Sequence, residues 1–165
     1  MEVACRILGR LYRWQYLGIA LILGTSLLMH ASIIQQPDTP MFDEQYYVKD
    51  ARAVAEGTGE LRREHPPAGQ LLIASGIILF GDNPIGWRFF SVLFGVAGIL
   101  LFYLICDALD MPRRAVLVAS FLLAFEVLTF VQASIAMLDV FSVTLMLAAF
   151  WLYLRGRYVL SATAV

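Results

Sequence analysis

Five apolar runs alternate with polar breaks along the chain, and the length of each run limits what it can be. Trp14 to Ile34 is long enough to cross a bilayer as a helix, which rises about 1.5 Å per residue through a hydrocarbon core of about 30 Å. Leu71 to Phe80 would rise only about 15 Å, half of that thickness, and is expected at the interface or inside protein. Phe89 to Cys106 is uncharged over its full length and reads as a second span, while Ala115 to Val131 reads as a third that carries one acid, Glu126. Val140 to Leu154 becomes a fourth if its helix begins a few residues earlier, near Asp139. The pattern predicts an all-α, multi-pass membrane protein with about four transmembrane helices, at about residues 14–34, 89–106, 115–131 and 138–154. An external loop over 35–87 would hold amphipathic or interfacial helices. After Arg157 the chain turns apolar again, "YVLSATAV", like the approach to a fifth span.

Composition strengthens this reading. A mean hydropathy of +0.74 with 15% charged residues lies outside the usual range of soluble domains. A net charge of −1, with no basic tract, gives no basis for a nucleic-acid partner; the lipid bilayer is the expected surroundings. Cys5 and Cys106 are too few and too scattered for a disulfide framework or a metal site, and are expected to act as small apolar residues. The first run follows Arg6, Arg10 and Arg13, as a secretory signal would, but it exceeds an h-region of roughly 7–15 residues and no small-x-small cleavage site follows. An uncleaved anchor is expected.

The arginines orient the spans. With the amino terminus in the cytoplasm, the inner segments hold Arg6, Arg10, Arg13, Arg113, Arg114, Arg155 and Arg157. The outer segments hold Lys49, Arg52, Arg62 and Arg63, with Arg88 near the outer edge, and "QASIAMLD" holds no base. This distribution agrees with the positive-inside rule and puts the acidic loop outside the cell membrane. Trp14, Tyr16, Trp87, Trp151 and Tyr153 fall near span ends, where amphipathic rings favour the headgroup region.

The candidate chemistry begins in that loop, in "MFDEQYYVKDARAVAEG". Helical spacing from Asp43 to Glu56 puts Glu44, Tyr47, Val48, Ala51 and Ala55 along one side. Adjacent residues on a helix point about 100° apart, so Asp43 and Glu44 cannot both aim at one atom. Two accounts stand: Asp43 as an N-cap with Glu44 as a first-turn charge, or one carboxylate as general base with the other orienting a cation. In "EHPPAGQ", Pro66 and Pro67 are expected to start a helix, and His65 sits at the water edge where it could help hold an anion. Arg88 either snorkels or offers its forked donors to a phosphate. Glu126 and Asp139 are acids in or beside apolar segments; Asp139 could cap the fourth helix, whereas Glu126 calls for a partner or a water-filled cavity.

Taken together, "FDEQYYVKDA", "HPPAGQLLIASGIILFGDNPIGWRFFSVLFG" and "IAMLDVF" resemble the dolichyl-phosphate-mannose protein mannosyltransferase family, particularly its bacterial members, within the GT-C class of membrane glycosyltransferases. The likeness runs from about Met41 to Phe150 and rests on the order and spacing of three motifs. It implies inverting transfer of a sugar, mannose first among candidates, from a polyprenyl (dolichyl-type) phosphate donor to Ser or Thr hydroxyls of exported proteins. It also implies catalytic roles for Asp43 and Glu44, and substrate-binding roles for His65, Arg88, Glu126 and Asp139. No cofactor beyond the lipid-linked donor is implied, and metal dependence and oligomeric state stay open. In this scheme Asp43 is the base, Glu44 holds Arg88, and Arg88 faces the phosphate.

Three departures qualify the likeness. The family usually has Lys where this chain has Gln70, and Arg where it has Ser134, so Glu126 is expected to lack its partner. Family members also continue through many more spans. The expectation is therefore an amino-terminal portion that is inactive in isolation. The alternatives are a noncatalytic membrane subunit, or a related transferase acting on lipid A or wall glycans.

Overall fold

The computed structural model describes residues 2–59 and 65–163, without the side chains of 2–15. Glu64, Arg62 and Arg63 lie outside the described residues, as do the side chains of Cys5, Arg6, Arg10, Arg13 and Trp14. Eight helices follow in order: α1 (Glu2–Ile33), α2 (Glu44–Ala55), α3 (Pro67–Phe80), α4 (Pro84–Ala108), α5 (Arg113–Phe125), α6 (Val127–Ser134), α7 (Leu138–Leu154) and α8 (Tyr158–Thr163). No strand occurs among the described residues.

Two helical stretches, Tyr16–Ile33 and Pro84–Ala108, are long and apolar enough to cross a membrane. The third expected span is not one rod. It breaks at Glu126 into α5 and α6, which meet at 56°, and the pair qualifies as a crossing only if the bent halves count together. α7 matches the expected 138–154 but, at 17 residues, is at the short end for a straight crossing of about 20 residues. The stretch Leu71–Phe80 falls within α3, a 14-residue helix packed on α2, α4 and α7, as expected of a segment inside protein.

Local sequence explains the boundaries. α3 begins at Pro67, whose missing N–H would be unpaired in a first turn, and it stops at Gly81, whose φ of +88° suits a residue without Cβ. α4 begins at Pro84, where the Asn83 side chain accepts hydrogen bonds from the N–H groups of Ile85 at 3.0 Å and Gly86 at 3.3 Å. That cap starts the helix five residues before the apolar run itself.

α2 buries Glu44, Val48 and Ala51 at spacings of three and four, with Tyr47 and Ala55 half-buried on the same side. Val48 and Ala51 join Ile73, Ala74 and Ile77 of α3, Trp87 of α4, and Ala133, Ala136, Leu138, Val140 and Phe141 in the larger apolar core. A second core, formed by Ile19, Tyr103, Cys106 and Val116, ties α1 to α4 and α5. Cys106 is a buried free thiol.

The hairpin of α3 and α4 closes on glycine. A Cβ on Gly76 would run into the carbonyl oxygen of Gly86, and one on Gly86 into that of Gly81. Small residues of this kind let helix backbones approach closely where no water drives them together. Gly76→Ala is therefore expected to force the two helices apart and destabilise the fold by about 1–3 kcal/mol, the usual cost of overpacking. Gly24→Ala, which meets nothing within 4 Å, is the control. Thermal unfolding in detergent should show a clear drop for Gly76→Ala and none for Gly24→Ala.

Candidate functional site

The site is organised by the carboxylate of Glu44, which is fully buried. Arg88 lies 44 residues further along the chain and is equally buried. Its Nε donates to Glu44 Oε1 and its Nη2 to Oε2, both at 2.8 Å. This is the two-pronged geometry that suits a guanidinium to a carboxylate. The backbone N–H of Ala136 adds a bond to Oε1 at 2.8 Å, and that of Met41 adds one to Oε2 at 3.0 Å. Each oxygen thus accepts twice. A buried charge pair is tolerable only when its lone pairs and protons are met in this way.

The remaining donors of Arg88 bind the segment that follows α1. Nη1 donates to the carbonyl oxygens of Ile34 at 3.1 Å and Pro37 at 2.8 Å, and Nη2 reaches Thr39 at 3.4 Å. All five N–H groups are then occupied. Arg88 is expected to hold Glu44 and to face a phosphate; it holds Glu44 and the 34–39 loop. Glu44, expected among the catalytic residues, is likewise enclosed, with both carboxylate oxygens saturated.

Asp43 has the opposite surroundings. It occupies the position before α2, and its carbonyl accepts from Tyr46 N at 2.9 Å and Tyr47 N at 3.2 Å, but its side chain makes no cap bond. The capping account of Asp43 therefore fails. Its carboxylate is exposed and makes no hydrogen bond among the described residues. A tight turn from Met41 to Glu44 presents it: Glu44 N donates to Met41 O at 3.0 Å, and Met41 N donates back to the Glu44 side chain. The arrangement resembles a capping box reached from outside the helix, with the acid buried rather than solvated.

His65 joins this group through a ring. Its imidazole meets Tyr47 edge-on, with centroids 5.6 Å apart and planes at 86°. Pro67 then starts α3, and Gly69 lies against Leu138 and Phe141 of α7, so the proline motif is wedged between α2 and α7. On the far side of α2, Arg52 Nε bonds both oxygens of Asp82, at 2.9 and 2.8 Å, while Trp87 Nε1 bonds Asp82 Oδ1 at 2.6 Å. The Arg52 guanidinium also lies 5.1 Å from the centre of the Trp87 ring. Partial burial pushes the Asp82 carboxyl up, but the bonds from Arg52 and Trp87 and the Arg52 charge outweigh it and hold it below its usual value.

Glu126 and Asp139 lie elsewhere, with no hydrogen bond or ion pair to Asp43, Glu44, His65 or Arg88 among the described residues. Glu126 needs no arginine. The backbone turns extended there, with ψ of 130°, and the freed N–H groups of Leu128 and Thr129 donate to its carboxylate at 3.0 and 2.7 Å. It is an exposed N-cap of α6, the role reserved beforehand for Asp139. Asp139 is instead an exposed first-turn residue of α7, where Met137 holds the cap position. It lines a groove of about 330 Å³ together with Gly95, Gly98, Thr129 and Gln132.

One polar cluster has no counterpart in the sequence reading. His30, buried in α1, bonds through Nδ1 to Ser134 Oγ at 3.0 Å and stacks on Phe130 with centroids 4.3 Å apart. Ser134 also donates to the Phe130 carbonyl at 2.8 Å, so it links α1 to α6 where the resembled family has an arginine. An imidazole inside an otherwise uncharged apolar run was the available signal. Among the described residues, no group of three His, Cys, Asp or Glu is placed to hold a metal ion.

The family model described as dolichyl-phosphate-mannose-protein mannosyltransferase matches residues 64–158, a stretch that includes His65, Arg88, Glu126 and Asp139 and begins well after Asp43 and Glu44. The chain is 33% identical over 150 residues to the polyprenol-phosphate-mannose–protein mannosyltransferase of Mycobacterium tuberculosis, covering 87% of this chain and 29% of that protein. It is 36% identical over 118 residues to the protein of that name from Mycolicibacterium smegmatis, covering 68% and 23%. A third relative is the undecaprenyl phosphate-alpha-4-amino-4-deoxy-L-arabinose arabinosyl transferase 2 of Pseudomonas fluorescens, 39% identical over 98 residues, covering 57% and 18%. The chain thus spans less than a third of the length of these curated relatives. No solved structure matches it at a significant level.

Proposed function

The chain belongs to the dolichyl-phosphate-mannose-protein mannosyltransferase family, and from that premise we propose that it forms part of a membrane enzyme transferring mannose from a polyprenyl phosphate to Ser or Thr hydroxyls of exported proteins. The observation that carries this reading is the division of labour between two adjacent carboxylates. Glu44 is buried and saturated, while Asp43 is exposed and uncommitted at the tip of a turn that Glu44 fixes.

Sugar transfer of this kind needs the acceptor oxygen to attack the anomeric carbon while its proton leaves. Asp43 takes that proton as the C–O bond to the acceptor forms, and the bond between the anomeric carbon and the phosphate oxygen breaks. The electron pair departs on the polyprenyl phosphate, and configuration inverts because attack and departure occur on opposite faces. Arg88 contributes at one remove: it holds Glu44 and the 34–39 loop, and so fixes where Asp43 stands. Preorganised placement of a base in this manner is a large share of what an enzyme supplies. His65, packed on Tyr47, is a candidate contact for the lipid phosphate.

The two mannosyltransferase relatives are matched over 87% and 68% of the chain and the arabinosyl transferase over 57%, which favours mannose over an aminosugar and a protein over a glycolipid acceptor. The four crossings, cytoplasmic amino terminus and outer acidic loop inferred from the arginines complete the proposal.

Two outcomes test it. In a full-length protein carrying this segment, Asp43→Asn should lower transfer by on the order of 10² or more, with melting temperature unchanged because the side chain makes no structural bond; near-normal transfer would remove Asp43 from the role of base. In a background lacking Cys5 and Cys106, a cysteine in place of exposed Glu56 should react with an impermeant thiol reagent applied to intact cells, and one in place of Met111 should not. Equal labelling of both would overturn the topology.

A further inference from the structure

The helix that ends beside the site needs anchors of its own. α6 has eight residues and is cut off from α5 by the 56° bend at Glu126, so α5 does not fix where its last turn lies. One anchor is apolar: Ala133 lies so close to α4 that a Cβ on Gly95 would run into it. The other is polar and comes from the last turn of α1. There, buried His30 bonds Ser134, the final residue of α6, through Nδ1 at 3.0 Å and stacks on Phe130.

The direction of that bond follows from counting protons. A carbonyl oxygen only accepts, so Ser134 gives its single hydroxyl proton to Phe130 O at 2.8 Å. Nδ1 is then the donor to Ser134 Oγ, and the neutral ring carries its proton there. Hydrogen bonds of this kind hold apolar helices in register, and His30 is buried, so the bond has no ready replacement from water.

Its two ends lie next to the two sides of the buried ion pair. His30 stands four residues before Ile34, whose carbonyl accepts from Arg88 Nη1 at 3.1 Å. Ser134 stands two residues before Ala136, whose N–H donates to Glu44 Oε1 at 2.8 Å. Little slack separates Ser134 from that N–H, because Met137 N bonds back to Ile135 O at 2.9 Å and Ile135, Ala136 and Met137 are all buried. The bond thus braces the segment that completes Arg88 against the segment that completes Glu44. We infer that His30 is a positioning residue of the site, which sets where the Ala136 N–H and the Ile34 carbonyl stand and so holds Glu44 and the turn that carries Asp43. The inference rests on the reading of Asp43 as the base, and deepens it by naming what keeps that base in place.

The test uses a full-length protein carrying this segment, with polyprenyl phosphomannose and a Ser/Thr peptide as probes. His30→Phe keeps a ring to stack on Phe130 and loses the donor; His30→Asn loses the ring and keeps an N–H donor near the place of Nδ1. Small misplacements of a catalytic group are costly, so His30→Phe and Ser134→Ala should each lower kcat about tenfold while both KM values stay within about twofold. The two changes together should cost no more than either alone, and His30→Asn should recover most of the rate. Normal kcat for His30→Phe with a loss for His30→Asn would show that only the stacked ring matters and would overturn the inference. A second arm needs no transfer, and so separates this inference from the reading of Asp43. Chemical unfolding in detergent would compare His30→Phe in the parent and in a background carrying Glu44→Leu with Arg88→Met, a swap of ion pair for apolar groups. The drop in unfolding midpoint should be smaller by half or more where the pair is absent. Equal drops in the two backgrounds would mean that His30 serves helix packing alone, and would likewise overturn it.

Discussion

One carboxylate gathers the parts of this protein that are far apart in sequence. Glu44 takes four hydrogen bonds, from the guanidinium of Arg88 on α4, from the N–H of Ala136 between α6 and α7, and from the N–H of Met41 at the head of its own turn. Removing a charge from water is costly, so a buried acid is stable only with an opposite charge in good geometry and no lone pair left over. That requirement locks the relative positions of α2, α4 and the α6–α7 link. Arg88 extends the lock by binding three carbonyls of the 34–39 loop. The three motifs that carry the family likeness therefore meet at one atom group, which is a physical reason for their spacing.

The consequence for chemistry is a separation of roles that adjacency alone makes possible. Successive residues at a helix start point in different directions, so fixing Glu44 inward places Asp43 outward. In the proposed mechanism the inward acid supplies rigidity and the outward acid is the base. Tyr47, one turn further on, carries the contact to His65, and the clamp of Arg52, Asp82 and Trp87 holds the other side of α2 against the α3–α4 turn. Apolar helices carry this polar assembly, and a polar group buried among them is stabilised by finding a partner within the protein.

How much of this could be read from the chain depends on which forces act locally. The side of α2 that would be buried, the proline start of α3 and the fourth apolar helix follow from periodicity and from the missing proline N–H, and they are seen as expected. The pairing of Glu44 with Arg88 was expected only through the family resemblance, which gave the acidic pair and the arginine their roles. Its completeness was not, since backbone donors such as Ala136 N leave no trace in residue identity. The break at Glu126 was also hidden: apolar residues flank it, with neither Gly nor Pro to mark a change of direction, and the acid looked stranded in a span when it caps a new helix. Asp139 was misread for the complementary reason, because a first-turn acid and an N-cap acid differ by two positions that periodicity does not resolve.

The central claim is that the pairing of Glu44 with Arg88 governs the stability of the site, and a double-mutant cycle measures it directly. Chemical unfolding in detergent would be followed for the parent, Glu44→Gln, Arg88→Met and the double variant. Each single change leaves a buried group without its partner and should cost about 3–5 kcal/mol, while the double variant should cost much less than the sum. Strictly additive losses, or single changes with no effect, would show that the two side chains merely lie near one another and that something else holds the loop to the bundle.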